Sequence, residues 1–161
     1  MAGTPRYFGL ATTTVDSKNR ITIPAKFRSR LPVSSDGKVL LYVMIGPDFP
    51  HLAIFDQQSG ERRIEELTGD AGLPGEEQRK RQRLLALVEQ VEVDKAGRIL
   101  LPKDHVSYAR LKSEIVISGA GDHMQAYDPE EARAVQAPVS VEKLDPQAVA
   151  RIYNSTLPEQ G

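Results

Sequence analysis

The chain has 161 residues, 40% hydrophobic and 27% charged, a balance that fits one ordinary globular domain or two very small ones and excludes a disordered chain. It contains no cysteine, which excludes disulfides, thiolate catalysis, zinc sites with Cys ligands and iron–sulfur clusters. Net charge is −1, yet residues 1–30 carry Arg6, Lys18, Arg20, Lys26, Arg28 and Arg30 against the single acid Asp16, while residues 113–161 carry three bases and eight acids. A basic head and an acidic tail point to a local polyanion-binding surface that the total conceals.

In chain order, residues 1–8 show no apolar leader segment, and the longest apolar run, residues 39–45, is far short of the roughly 20 residues a membrane helix needs. These features predict a soluble cytoplasmic protein. Residues 10–15 read as an extended run leading into Asp16-Ser17-Lys18-Asn19-Arg20-Ile21-Thr22-Ile23-Pro24. This nonapeptide fits a tight hairpin. Asp16 at the first turn position bonds back to the turn backbone, and Asn19 tolerates the positive φ of the fourth position, giving a type I turn closed by a left-handed residue. Arg20 then opens the return strand, Ile21 and Ile23 alternate inward, and Pro24 ends the strand as the first residue of a short helix. Residues 39–46 and 52–55 form a β-rich segment that ends in Asp56, before a polar, helix-compatible stretch.

Residues 68–75 have linker composition, and residues 76–88 read as a helix with Glu76 and Glu77 at its N-terminus and Leu84, Leu85, Leu87 and Val88 as its apolar face. The basic run Gln78–Arg83 on that helix suits a solvated face or a subunit contact. After an extended run at residues 91–93 comes Asp94-Lys95-Ala96-Gly97-Arg98-Ile99-Leu100-Leu101-Pro102, the first nonapeptide repeated 78 residues on. Asp, Arg, Ile and Pro are identical in register, and Gly97 takes the left-handed slot of Asn19. The order of elements repeats as well. A short helical stretch follows, then β-rich segments at residues 114–119 and 124–127, then Asp128 before a polar stretch. The tail from Ala137 is Pro- and acid-rich, with a short helix expected over residues 146–153. The organisation predicted is a first unit at 7–68, a linker at 69–75, a second unit at 76–136 and an acidic tail at 137–161.

The pattern Asp-x-Lys-x-Arg-x-x-x-Pro resembles that of AbrB-type swapped-hairpin DNA-binding modules. Two copies in one chain of this length, joined by a basic helix, resemble the MraZ family of bacterial transcriptional regulators, encoded at the head of the division and cell-wall gene cluster. Two departures stand out: Asn19 occupies a Gly position, and Ala96 occupies the Lys slot of the second copy, with Lys95 one place earlier. The resemblance implies an α+β, β-rich fold in which two β-β-α-β units interlock as an intrachain pseudo-two-fold barrel. It also implies a homo-oligomeric ring that binds direct repeats in double-stranded DNA, without cofactor, metal, membrane or small-molecule substrate. Arg20 is the leading candidate for a base-edge contact, since a guanidinium can bond guanine O6 and N7 together. Lys18 and Asn19 share its tip, and Arg98 and Lys95 are the second-unit counterparts. Arg6, Lys26, Arg28 and Arg30 suit phosphates or open solvent, while Asp16 and Asp94 are turn formers.

Other functions were weighed. His51, His105 and His123 stand at no metal-ligand spacing, and Gly119-Ala120-Gly121-Asp122 lacks the Lys-Ser/Thr of a phosphate loop, which leaves it as a hairpin turn equivalent to residues 46–50. Single-stranded RNA binding asks for aromatics among the bases, and only Tyr7 and Phe8 lie near the basic head. The main alternative is an antitoxin-like interaction module of the same fold with little specific DNA binding.

Overall fold

A computed structural model describes residues 6–69, 75–141 and 144–156. Its strands are β1 (Leu10–Thr14), β2 (Arg20–Thr22), β3 (Leu40–Ile45), β4 (Leu52–Asp56), β5 (Glu89–Glu92), β6 (Arg98–Leu100), β7 (Glu114–Gly119) and β8 (His123–Tyr127). Its helices are α1 (Ala25–Arg28), α2 (Gln57–Thr68), α3 (Gly75–Leu85), α4 (Lys103–Tyr108), α5 (Pro129–Ala134) and α6 (Pro146–Thr156). The fold is mixed α+β and β-rich, as the sequence predicts. Most of the proposed linker, residues 70–74, lies outside the described residues.

The expected closed barrel is not formed. Six strands make one antiparallel sheet in the order β1-β7-β8-β4-β3-β5, and β2 and β6 make a separate two-stranded sheet. The short strands account for this. β2 and β6 have three residues each, both run into a proline without an N–H, and each spends its ladder on the other. Contact of β2 with β1 comes down to the bridge Val15–Ile21 and a bond from Thr13 Oγ1 to the Thr22 carbonyl at 3.0 Å.

The strand order reads the same from either end once β1 is exchanged with β5, β7 with β3 and β8 with β4. Within the small sheet Ile21 faces Ile99, its own counterpart 78 residues on. The internal repeat has therefore become a pseudo-two-fold axis that passes between Ile21 and Ile99 and between β4 and β8.

Period-two alternation divides the large sheet into two faces. Leu41, Val43, Leu52, Ile54, Ile115, Ile117, Met124 and Ala126 point inward, where they pack with Ile21, Ile23, Ile99 and Leu101 of the ribbon region, Phe27 of α1 and Ala109 after α4. The outer face carries Met44, Ala53 and Phe55 on one half and Val116 and Tyr127 on the other, with the longer helices laid against it. Asp56 and Asp128 cap α2 and α5, accepting from the Ser59 amide at 2.8 Å and the Glu130 amide at 3.0 Å.

Three local readings change. Pro24 and Pro102 sit one place before their helices, with ψ of 144° and 145°, because the preceding residues are still held extended by ribbon bonds. The helix expected at 76–88 is α3, which ends at Leu85 in single-turn bonds from Leu87 and Val88, and it buries none of its residues. Tyr7, read as an aromatic beside the basic head, belongs to the core.

Tyr7 fastens the N-terminal segment. Its backbone pairs with Gly121, and its buried hydroxyl donates to Asp56 Oδ2 at 2.7 Å. Burial first, and the Asp56 carboxylate second, push the phenol well above its ordinary pKa, so it remains a donor. Tyr7→Phe removes one donor from a buried carboxylate and is expected to cost about 1–3 kcal/mol in a urea titration with unchanged m-value.

Candidate nucleic-acid interface

Both hairpin tips are built alike. The Asn19 amide donates to the Asp16 carbonyl at 3.0 Å and the Gly97 amide to the Asp94 carbonyl at 2.9 Å, with φ of 61° at Asn19 and 80° at Gly97. Asp16 Oδ1 accepts from the amides of Lys18 and Arg20 at 2.8 and 2.9 Å, and Oδ2 accepts from Arg20 Nε at 2.8 Å. Asp94 does the same with the Ala96 and Arg98 amides and Arg98 Nε, at 2.9, 2.8 and 3.0 Å. The backbone amides of Arg20 and Arg98 are the largest cause holding these two carboxyls below the usual carboxylate range. Both aspartates are thus ionised at neutral pH with their oxygens committed to the turn.

Pairing of β2 with β6 sets the outward face. Arg20 lies opposite Leu100 and Thr22 opposite Arg98, so these four side chains share one face while Ile21 and Ile99 are buried on the other. Arg20 and Arg98 are diagonal neighbours, about 7–8 Å apart at the backbone. Each arginine is tethered through Nε, which leaves the two terminal nitrogens of the guanidinium pointing away from the turn. The bonds that join the strands run from the Ile23 amide to the Gly97 carbonyl and from the Leu101 amide to the Asn19 carbonyl, both at 2.8 Å. Each left-handed turn residue therefore also anchors the other hairpin.

The remaining candidates fall into two groups. Lys18 is exposed at the first tip beside Asn19, and Lys95 is exposed at the second. Arg28 reaches that second tip from α1, its Nη1 meeting the Ala96 carbonyl at 3.4 Å. A cation from the first half thus stands where the second nonapeptide has alanine in its lysine slot. Lys26 and Arg6 lie elsewhere. Lys26 Nζ bonds the Leu10 carbonyl at 2.7 Å, and the Arg6 carbonyl accepts from Arg30. Arg30 also lies over the exposed ring of Phe8, 3.9 Å from its centroid.

Sequence reasoning missed that Thr22 and Leu100 complete the outward face, although the inward alternation of Ile21 and Ile23 held that signal. It had no signal for the approach of Arg28, 68 residues from Ala96. Gly119–Asp122 forms the β7–β8 turn, closed by the Ala120 amide on the His123 carbonyl at 2.9 Å. Among the described residues, no group of three or more His, Cys, Asp or Glu side chains is placed to hold a metal ion. No helix among them is long and apolar enough to cross a membrane.

Fold and site together define a class: proteins in which two repeated hairpins of one chain pair into a basic ribbon over an antiparallel sheet. Residues 84–151 match the family model described as "MraZ protein, putative antitoxin-like". A protein of Nitrosococcus oceani named Transcriptional regulator MraZ is 32% identical over 74% of this chain and 79% of its own length. Proteins of the same name from Corynebacterium kroppenstedtii and Chlorobium phaeobacteroides are 32% and 31% identical, each over 81% of this chain and over 87% and 86% of their own lengths. The chain belongs to the MraZ family.

Proposed function

We propose that this protein is a regulator that represses transcription by laying the β2–β6 ribbon in the major groove of double-stranded DNA. The observation that carries the reading is the outward face itself, where two arginines are each fixed by an aspartate through Nε and present their terminal nitrogens together. A two-stranded ribbon fits the major groove, and an end-on guanidinium matches guanine O6 and N7. Arg20 and Arg98 read bases, Lys18, Asn19 and Lys95 reach base edges or phosphates at the tips, and Arg28, Lys26 and Arg6 neutralise phosphates. The two halves act as tandem AbrB-like units, and the relatives' name supports a regulatory role over a catalytic one.

One ribbon makes few phosphate contacts, so a single copy binds weakly with a shallow salt slope. Assembly into a ring that engages direct repeats upstream of its own gene, in the division and cell-wall cluster, raises avidity by roughly 10²–10⁴. The protein then works in the cytoplasm, at the nucleoid. The test is a mobility-shift titration at several salt concentrations on upstream DNA carrying one to four repeats, alongside the mass of the free protein. Affinity is expected to rise steeply with repeat number and to fall with salt. A monomer that binds one repeat as tightly as four would defeat the ring.

The antitoxin-like description of the matched family favours a second reading, an interaction module whose partner is a protein. DNA binding that is weak and indifferent to sequence at every salt concentration would select it.

A further inference from the structure

The internal two-fold axis makes the two halves of the outer sheet face comparable, and they are not finished in the same way. On the second half, Val116 and Tyr127 are covered by Leu10, Phe49, Ala137 and Val139, and the Tyr127 hydroxyl bonds the Pro138 carbonyl. The segment after α5 thus seals that half. On the first half, a cleft of about 410 Å³ remains open, floored by Met44, Ala53 and Phe55 and walled by Leu67, Leu84 and Tyr108. Leu84 is 43% exposed there.

The same chain carries an apolar helix face that covers nothing. α6 buries none of its residues, and Val149, Ile152 and Tyr153 fall at i, i+3 and i+4 on one side, with Ile152 58% and Tyr153 60% exposed. An eleven-residue helix is marginal in water unless an amphipathic face is packed. Charge is complementary as well. α3, beside the cleft, carries Arg79, Lys80, Arg81 and Arg83 against Glu76 and Glu77, whereas α6 lies in the acidic tail and is capped by Asp145, whose Oδ1 accepts from the Gln147 amide at 3.1 Å.

We infer that α6 of one copy docks its Val149–Ile152–Tyr153 face into the cleft between α2, α3 and the sheet of a second copy. Helix and cleft are different surfaces, so each copy gives one contact and receives another, and the assembly closes as a ring or a reciprocal pair. The inference rests on the assembly part of the proposed function and is independent of DNA contact by the ribbon.

The absence of cysteine makes the test clean. Full-length chains carrying Ile152→Cys alone and Leu84→Cys alone, each at an exposed position, are mixed and treated with a short bis-maleimide. The expected product is a two-chain species containing one copy of each variant, and a chain carrying both substitutions should yield a ladder. No link, or only a link within one chain, overturns the inference. In parallel, full-length Ile152→Asp should fall from the native assembly mass to the 17.8 kDa monomer with its thermal melt unchanged. An unchanged assembly mass, or a wild-type protein that is itself monomeric at micromolar concentration, also overturns it. All of these are read without DNA. Loss of operator binding in a ribbon variant leaves this inference standing, and failure of the cross-link leaves the ribbon reading standing.

Discussion

Arg20→Ala is expected to lower specific DNA affinity by about 1–3 kcal/mol, or roughly 5- to 150-fold, and to flatten discrimination at one base position. The side chain emerges on the outward face of β2, and Asp16 fixes Nε at 2.8 Å while the terminal nitrogens point away from the turn. A fixed guanidinium loses little side-chain freedom on binding, so more of its bonding appears as affinity. The ion pair itself contributes little to folding, about 0–1 kcal/mol, because both partners are about a third exposed. The variant should therefore melt close to wild type, which separates recognition from stability. Arg98→Ala should show the same pattern at a second base position. Unchanged operator affinity in a folded Arg20→Ala protein would remove Arg20 from the interface.

Gly97→Val should be the most damaging of the turn substitutions. Gly97 has φ of +80°, a region where a β-branched residue is a steric outlier and where an L-residue costs about 1–2 kcal/mol. A Cβ there would also stand 1.6 Å from Arg28 Nη1, so the guanidinium must swing away and give up the Ala96 carbonyl. The Gly97 carbonyl holds the Ile23 amide, and distortion therefore spreads to the opposite strand. A loss of about 2 kcal/mol or more corresponds to a drop of roughly 4–8 °C for a chain of this size. Asn19→Gly, at the same geometry, should be neutral or slightly stabilising. A Gly97→Val protein that melts with wild type would mean the left-handed turn plays no part in stability.

Local chemistry was legible in the sequence, and pairing between distant strands was not. Asp16 and Asp94 announced their turns because an Asp three places before an Asn or Gly is a self-contained device, and the positive φ of both turn residues follows from it. Asp56 and Asp128 announced two helix N-termini for the same reason. The repeat predicted two equivalent halves, and the palindromic strand order is its consequence. The barrel failed as a prediction because closure depends on how far β2 and β6 pair beyond each other, which proline and strand length decide only in three dimensions. Tyr7 was misread because its partner, Asp56, is 49 residues away. Arg28 looked like one more surface base until the fold set it beside Ala96. At the candidate site, residue types and tips were readable, while the shared outward face of Arg20, Thr22, Arg98 and Leu100 required the register.

The pairing of β2 with β6, and of β1 with β7, also governs how the protein is made. A ribosome releases β1 and β2 first, yet β6 begins at Arg98 and β7 at Glu114. At roughly 5–20 residues per second, the first hairpin spends on the order of 5–20 s without its partners, with Ile21 and Ile23 unprotected. Early folding is therefore limited to β3, β4 and α2, whose contacts are local, and the sheet and ribbon complete only when most of the chain has emerged. A prematurely terminated fragment that ends before Arg98 contains one entire copy of the repeated nonapeptide and no ribbon at all.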